Sequence, residues 1–168
     1  MPVDQDHTIT ITTTSPEETK AFGQVLAGLI EQGDVLSLAG DLGAGKTCLV
    51  QGIAQGLNIT EPLTSPSFLL RKDYSGTDAN GNRIDFAHLD IYRLDTLHDL
   101  DVLGLDDTPD TVAVIEWGDA AHEALPNDRL DIHIALPPLE EGDDEQRTIT
   151  LIPQGNHWAA KLNQDWMT

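Results

Sequence analysis

Eight consecutive residues, Gly40-Asp41-Leu42-Gly43-Ala44-Gly45-Lys46-Thr47, carry the spacing G-x-x-x-x-G-K-[ST]. The chemistry this suits is capture of a polyphosphate. Glycines let the backbone adopt conformations that turn several N–H groups toward one anion. A helix beginning at the end of the loop adds its partial positive charge. Lys46 is expected to reach the β- and γ-phosphates, and Thr47 to ligate Mg²⁺ through its hydroxyl. The nucleotide contacts are therefore expected along Asp41, Leu42, Gly43, Ala44, Gly45, Lys46, Thr47 and Cys48. Cys48 has two readings: a small residue packed beside the loop, or a thiol acidified by the helix N-terminus.

Such a loop needs an acid to help hold the cation or position water. Two acids follow apolar runs: Glu116 after Val112-Ala113-Val114-Ile115, and Asp90 after Phe86-Ala87-His88-Leu89. Ligands of open α/β sheets bind beyond the carboxyl ends of strands, where a phosphate loop also emerges. Either acid could help hold Mg²⁺ or position water, so Glu116 and Asp90, with Lys46, are the candidate catalytic residues. A guanine-reading Asn-Lys-x-Asp motif is absent from the sequence, and Asp101-Val102-Leu103-Gly104 is a D-x-x-G pattern away from any apolar strand end. The five arginines are dispersed rather than gathered into the lid of a small-molecule kinase.

The 168 residues and their ordinary apolar content predict one packed domain, residues 1–168. No apolar run approaches the roughly 20 residues that span a bilayer. The first seven residues lack a signal-peptide pattern, and the single Cys48 has no internal disulfide partner. A reducing, cytoplasmic location and no membrane contact are expected. The net charge of −20, with nine Lys and Arg, disfavours direct binding of nucleic acid, whose phosphates need cations.

The elements that must position these residues follow from hydrophobic period and turn chemistry. Residues 7–14 read as a Thr-rich strand. Ser15-Pro16-Glu17-Glu18 opens a helix with a capping box, continued by Ala21, Phe22, Val25, Leu26, Leu29 and Ile30 and closed by Gly33. Residues 35–39 form a buried strand before the phosphate loop, and 46–55 a helix after it. Strands are expected at 68–74 and 83–89, joined as a hairpin through Asn80-Gly81. A short helix or turn is expected at 94–105, strands at 111–115, 130–136 and 148–152, and an acidic loop at 140–145. A last helix is expected at 157–166. The fold class is α/β, with a mixed, mostly parallel central sheet flanked by helices.

The ordered set of the phosphate loop, Ser65-Pro66-Ser67-Phe68, His88-Leu89-Asp90-Ile91-Tyr92-Arg93-Leu94 and Glu116-Trp117 resembles the bacterial tRNA threonylcarbamoyladenosine biosynthesis ATPases, the TsaE or YjeE family. The likeness runs from about Ser15 to Ile152. It implies ATP hydrolysis coupled to formation of threonylcarbamoyladenosine at position 37 of ANN-decoding tRNAs, with the subunits TsaD and TsaB as partners and tRNA held indirectly. It implies Mg²⁺ on Thr47 and Glu116, a role for Asp90 in hydrolysis, Trp117 beside the nucleotide, and a switch-like loop at 65–68. Three departures stand out. Ser67 replaces the usual Thr and keeps its hydroxyl. Cys48 replaces a common second Thr, which removes one phosphate contact. Asp119 is one methylene shorter than the family's Glu. A small-molecule kinase and a module that senses ATP or ADP are the alternative classes, and phosphate release without an acceptor separates hydrolase from kinase.

Overall fold

The computed structural model describes residues 8–40, 44–63, 71–90, 109–116, 125–137, 145–164 and 166–167. Within them a single seven-stranded sheet carries three helices. The elements run β1 (Ile9–Thr13), α1 (Pro16–Ala27), β2 (Val35–Gly40), α2 (Lys46–Gly56), β3 (Arg71–Thr77), β4 (Arg83–Asp90), β5 (Val112–Glu116), β6 (Arg129–Ala135), β7 (Arg147–Gln154) and α3 (Asn156–Leu162). The strand order is β1-β7-β6-β2-β5-β4-β3. The four central strands β6, β2, β5 and β4 are parallel, and antiparallel β7, β1 and β3 extend the edges. This is the expected α/β class with a mixed sheet. Strands inside a parallel sheet are covered on both faces and read as unbroken apolar runs. β5, Val-Ala-Val-Ile-Glu, is buried at every residue, and β2 at all but its last.

Local chemistry sets the element ends. Ser15 caps α1 by accepting the Glu18 N–H at 3.1 Å. The Glu18 carboxylate reaches back one residue further than a capping box requires, accepting from the backbone N–H and hydroxyl of Thr14. α1 stops at Ala27, not near Gly33. Leu29 and Ile30 N–H groups bond three residues back, to Leu26 and Ala27, so the apolar period outlasts the helix through tightened turns. Gly33 instead takes φ +84° in the turn before β2. The β3–β4 hairpin turns where Asn80-Gly81 predicts, with Gly81 at φ +84° and the Asp78 side chain accepting from the N–H groups of Asn80 and Asn82. β3 runs on to Thr77, β4 to Asp90 and β7 to Gln154, each longer than the side-chain pattern suggests. α3 ends at Leu162, short of the expected Trp166. Trp166 packs against Phe22 from beyond the helix, ring centroids 6.0 Å apart. The expected elements at 94–105 and 140–145 lie largely or wholly outside the described residues.

One core joins the helices to one face of the sheet. Leu36 and Leu38 of β2, Val112 and Val114 of β5, and Ile84 and Phe86 of β4 pack with Leu26 of α1, Leu49 and Ile53 of α2, and Trp158 of α3. α3 is fastened by a buried charge. The Lys161 ammonium donates to the Leu29 carbonyl and to Asp34 Oδ2, both at 2.6 Å, and His157 Nε2 meets Asp34 Oδ1 at 3.0 Å. No helix among the described residues is long and apolar enough to cross a membrane.

α1 and α2 approach closely because glycines face the contact. A Cβ on Gly23 would lie 2.6 Å from the Leu49 carbonyl oxygen, and one on Gly52 would fall on the Lys20 carbonyl. Gly52→Ala gains helix propensity worth about 1 kcal/mol, but forcing the helices apart costs more. We expect a net loss of about 1–3 kcal/mol, read as a lower urea midpoint at unchanged m value. An unchanged or raised midpoint would show that the helices separate freely.

Candidate functional site

The site assembles at the carboxyl ends of the central strands. β2 ends at Gly40, where a Cβ would lie 2.5 Å from the Ile134 carbonyl oxygen of neighbouring β6. Glycine is therefore required for the chain to leave the sheet there. Ala44 is buried and Gly45, at φ +104°, is the N-cap of α2. Gly45 has no side chain to cap the first turn, and that turn, Lys46-Thr47-Cys48, carries no acid. Among the described residues no capping oxygen competes for its N–H groups at the positive end of the helix. Lys46 is buried and folds back along the loop, donating from Nζ to the Gly40 carbonyl at 2.5 Å.

Two acids stand beside this loop because of strand register. In the parallel pairs, Leu38 of β2 lies opposite Glu116 of β5, and Glu116 opposite Asp90 of β4. Both acids therefore end adjacent strands at the same level. Thr47 Oγ1 donates to Glu116 Oε1 across 3.4 Å. The other carboxylate oxygen, Oε2, meets His88 Nε2 at 2.6 Å. Glu116 is only 4% exposed, so its orientation is fixed by these partners. Asp90 is partly exposed at the same rim.

The donor set fits a small hard cation. Mg²⁺ takes oxygens at ~2.0–2.1 Å in an octahedron, with one or two protein ligands and the rest from phosphate and water. Adjacent corners of such an octahedron are about 3 Å apart. The 3.4 Å between Thr47 Oγ1 and Glu116 Oε1 needs only a slight closing to match. Among the described residues no three of His, Cys, Asp and Glu gather into a metal cage of their own.

Two contributors escape a reading of the sequence. His88 occupies a position on β4 that alternation marks as core, after Ile84 and Phe86, and that polar intrusion was its only signal. Arg147, at the start of β7, donates from Nε to the Ala44 carbonyl at 3.0 Å. It closes a cavity beside the head of α2 with Pro16, Thr19, Gly45, Cys48 and Glu145. No local pattern links residues so far apart. Cys48 turns its thiol to the Pro16 carbonyl at 3.2 Å. Burial pushes the thiol pKa up, opposed by nearby Lys20, so the acidified-thiol reading fails and Cys48 packs beside the loop. Asp41, Leu42, Gly43 and Trp117 lie outside the described residues, as do the 65–68 segment, Arg93, Asp101 to Gly104 and Asp119.

Comparison with known proteins shows the family and the fold. Residues 13–148 match the family model of the threonylcarbamoyl adenosine biosynthesis protein TsaE. The chain belongs to the TsaE family. The tRNA threonylcarbamoyladenosine biosynthesis protein TsaE of Bacillus subtilis is 40% identical over 148 residues, 87% of this chain and 86% of the relative. That of Treponema pallidum is 39% identical over 133 residues, 78% of this chain and 93% of the relative. The crystal structure of Bacillus subtilis YdiB superposes with a TM-score of 0.73 at 32% identity, covering 96% of this chain and 93% of that one. The matched residues 13–148 include Lys46, Thr47, His88, Asp90 and Glu116 at the carboxyl ends of the central strands or in the first turn of α2.

The raised Cys48 pKa has a measurable consequence. A raised pKa leaves less thiolate at neutral pH, and thiolate is the nucleophile. Alkylation by iodoacetamide at pH 7 should be slower in the native chain than in urea, with the native rate still rising above pH 9. Native alkylation as fast as in urea at pH 7 would contradict the assigned environment.

Proposed function

We propose that this chain is an ATP hydrolase of tRNA threonylcarbamoyladenosine biosynthesis, working in the cytoplasm with the TsaB and TsaD subunits. The names of its relatives support the pathway. The observation that carries the chemistry is the meeting of Thr47 with Glu116 at 3.4 Å, beside Lys46 and the uncapped head of α2. Lys46 binds the β- and γ-phosphates, and the N–H groups of the loop and of α2 surround them. Thr47 and Glu116 hold Mg²⁺, which supplies charge neutralisation to the phosphates when bound. Asp90, at the end of the next strand, orients water and accepts its proton. The family resemblance adds Trp117 as a nucleotide contact.

The chain's own surface explains why it works with partners. Nine Lys and Arg against 29 Asp and Glu leave little to hold RNA, so tRNA stays with the partner subunits. The same acidity complements a basic partner face, and association should weaken as salt rises. Hydrolysis by the isolated chain is slow, because a cation on the γ-phosphate is worth ~10³–10⁵ in rate when a partner supplies it or orders the loop around it.

The residues divide by readout. Lys46→Ala should abolish nucleotide binding or turnover. Thr47→Ala and Glu116→Gln should weaken nucleotide binding in Mg²⁺ while leaving binding in EDTA near wild type. Asp90→Asn should lower turnover more than binding. Normal turnover by Lys46→Ala would remove the phosphate site from this loop. Single-turnover hydrolysis, alone and with TsaB and TsaD at several salt concentrations, tests the whole reading. Fast hydrolysis alone, unchanged by partners, would contradict it.

A further inference from the structure

We infer that His88 is the positioning residue for the cation site, holding Glu116 so that one carboxylate oxygen is committed to the protein and the other is presented to Mg²⁺. The inference rests on the magnesium reading above and adds to it a residue that touches neither metal nor nucleotide. Strand register creates the contact. His88 of β4 lies opposite Val114 of β5, and Glu116 is two residues further along on the same face. The imidazole leans forward to Glu116 Oε2 at 2.6 Å, while Glu116 Oε1 is left toward Thr47. A glutamate otherwise free about three torsions is thereby fixed before any ligand arrives.

The other ring nitrogen identifies the proton's place. His88 is 0% exposed, and its Nδ1 has no hydrogen-bond partner among the described residues. A proton on Nδ1 would leave a buried donor unmet, whereas a bare Nδ1 leaves only a lone pair unmet. The ring is therefore the Nε2–H tautomer, donating to Oε2. A core position filled by a ring with one unsatisfied nitrogen is a poor choice for packing, since a phenylalanine would fill it without polar cost. Its use here follows from the donor that Glu116 requires. Ligating carboxylates are commonly held in this way, and loss of the outer partner typically weakens metal binding ~10–100-fold.

The test measures affinity for N-methylanthraniloyl-ADP, in excess Mg²⁺ and in EDTA, for the full chain. In the wild type Mg²⁺ should tighten binding. His88→Phe should leave the EDTA affinity near wild type and cut the gain from Mg²⁺ by about tenfold or more. His88→Gln, whose amide nitrogen reaches the same place, should recover most of it. In a Glu116→Gln background, His88→Phe should have no further effect on the Mg²⁺ gain. A purely structural histidine would lower the unfolding midpoint and leave the Mg²⁺ gain intact; that result, or Gln rescuing no better than Phe, overturns the inference alone. Absence of any Mg²⁺ gain in the wild type overturns both this inference and the magnesium site beneath it. A measurement on the unaltered protein stands apart from folding of the variants: ¹⁵N–¹H long-range correlation should show His88 protonated at Nε2 and bare at Nδ1. An Nδ1–H tautomer would overturn the inference.

Discussion

The parallel register of β2, β5 and β4 is the constraint on which the rest of the structure depends. It sets Leu38, Glu116 and Asp90 level with one another, so that a loop leaving β2 emerges beside one acid and one strand away from another. Parallel strands must be covered on both faces and joined by long crossovers. The crossover after β2 contains α2, and Thr47 in its first turn is returned to Glu116. Shifting β5 by one residue would turn Glu116 to the opposite face and lose both Thr47 and His88. Such a slip would leave the buried Glu116 carboxylate without either partner, and that cost opposes it.

Electrostatics at the site oppose those of the chain as a whole. A net charge of −20 repels a polyphosphate. Over distances beyond ~8 Å at physiological salt, that repulsion is largely screened. For the proposed phosphate site the local features count for more: a buried Lys46, a helix start whose N-cap residue offers no side-chain oxygen, and a first turn without acids. Arg147 adds a fourth by donating to the Ala44 carbonyl, which occupies a backbone acceptor beside the loop.

Much of this was legible because the decisive residues are contiguous or end an apolar run. The phosphate loop is eight residues in a row, and Glu116 and Asp90 close strands whose composition is plain. The hairpin declared itself through Asn80-Gly81. Other features depended on distance. His88 meets Glu116 from 28 residues away, Arg147 meets Ala44 from 103, and Lys161 meets Asp34 from 127. Only the tertiary fold brings them together. Helix ends misled for a related reason. Leu29 and Ile30 keep the helical period because they face the same core, although their backbone has already tightened out of α1. Trp166 mimics a helical position by packing on Phe22 after α3 has ended. A hydrophobic pattern records which residues reach the core, and tertiary contact settles which backbone carries them there.

The central claim is that strand register places a cation between Thr47 and Glu116. The most direct measurement is anomalous diffraction from a crystal of the chain grown with Mn²⁺ and a non-hydrolysable ATP analogue. One manganese peak bonded to Thr47 Oγ1 and Glu116 Oε1 is expected, with Glu116 Oε2 still on His88. A peak ligated by Asp90 with Glu116 outside its shell, or manganese bound to phosphates without Thr47, would contradict it.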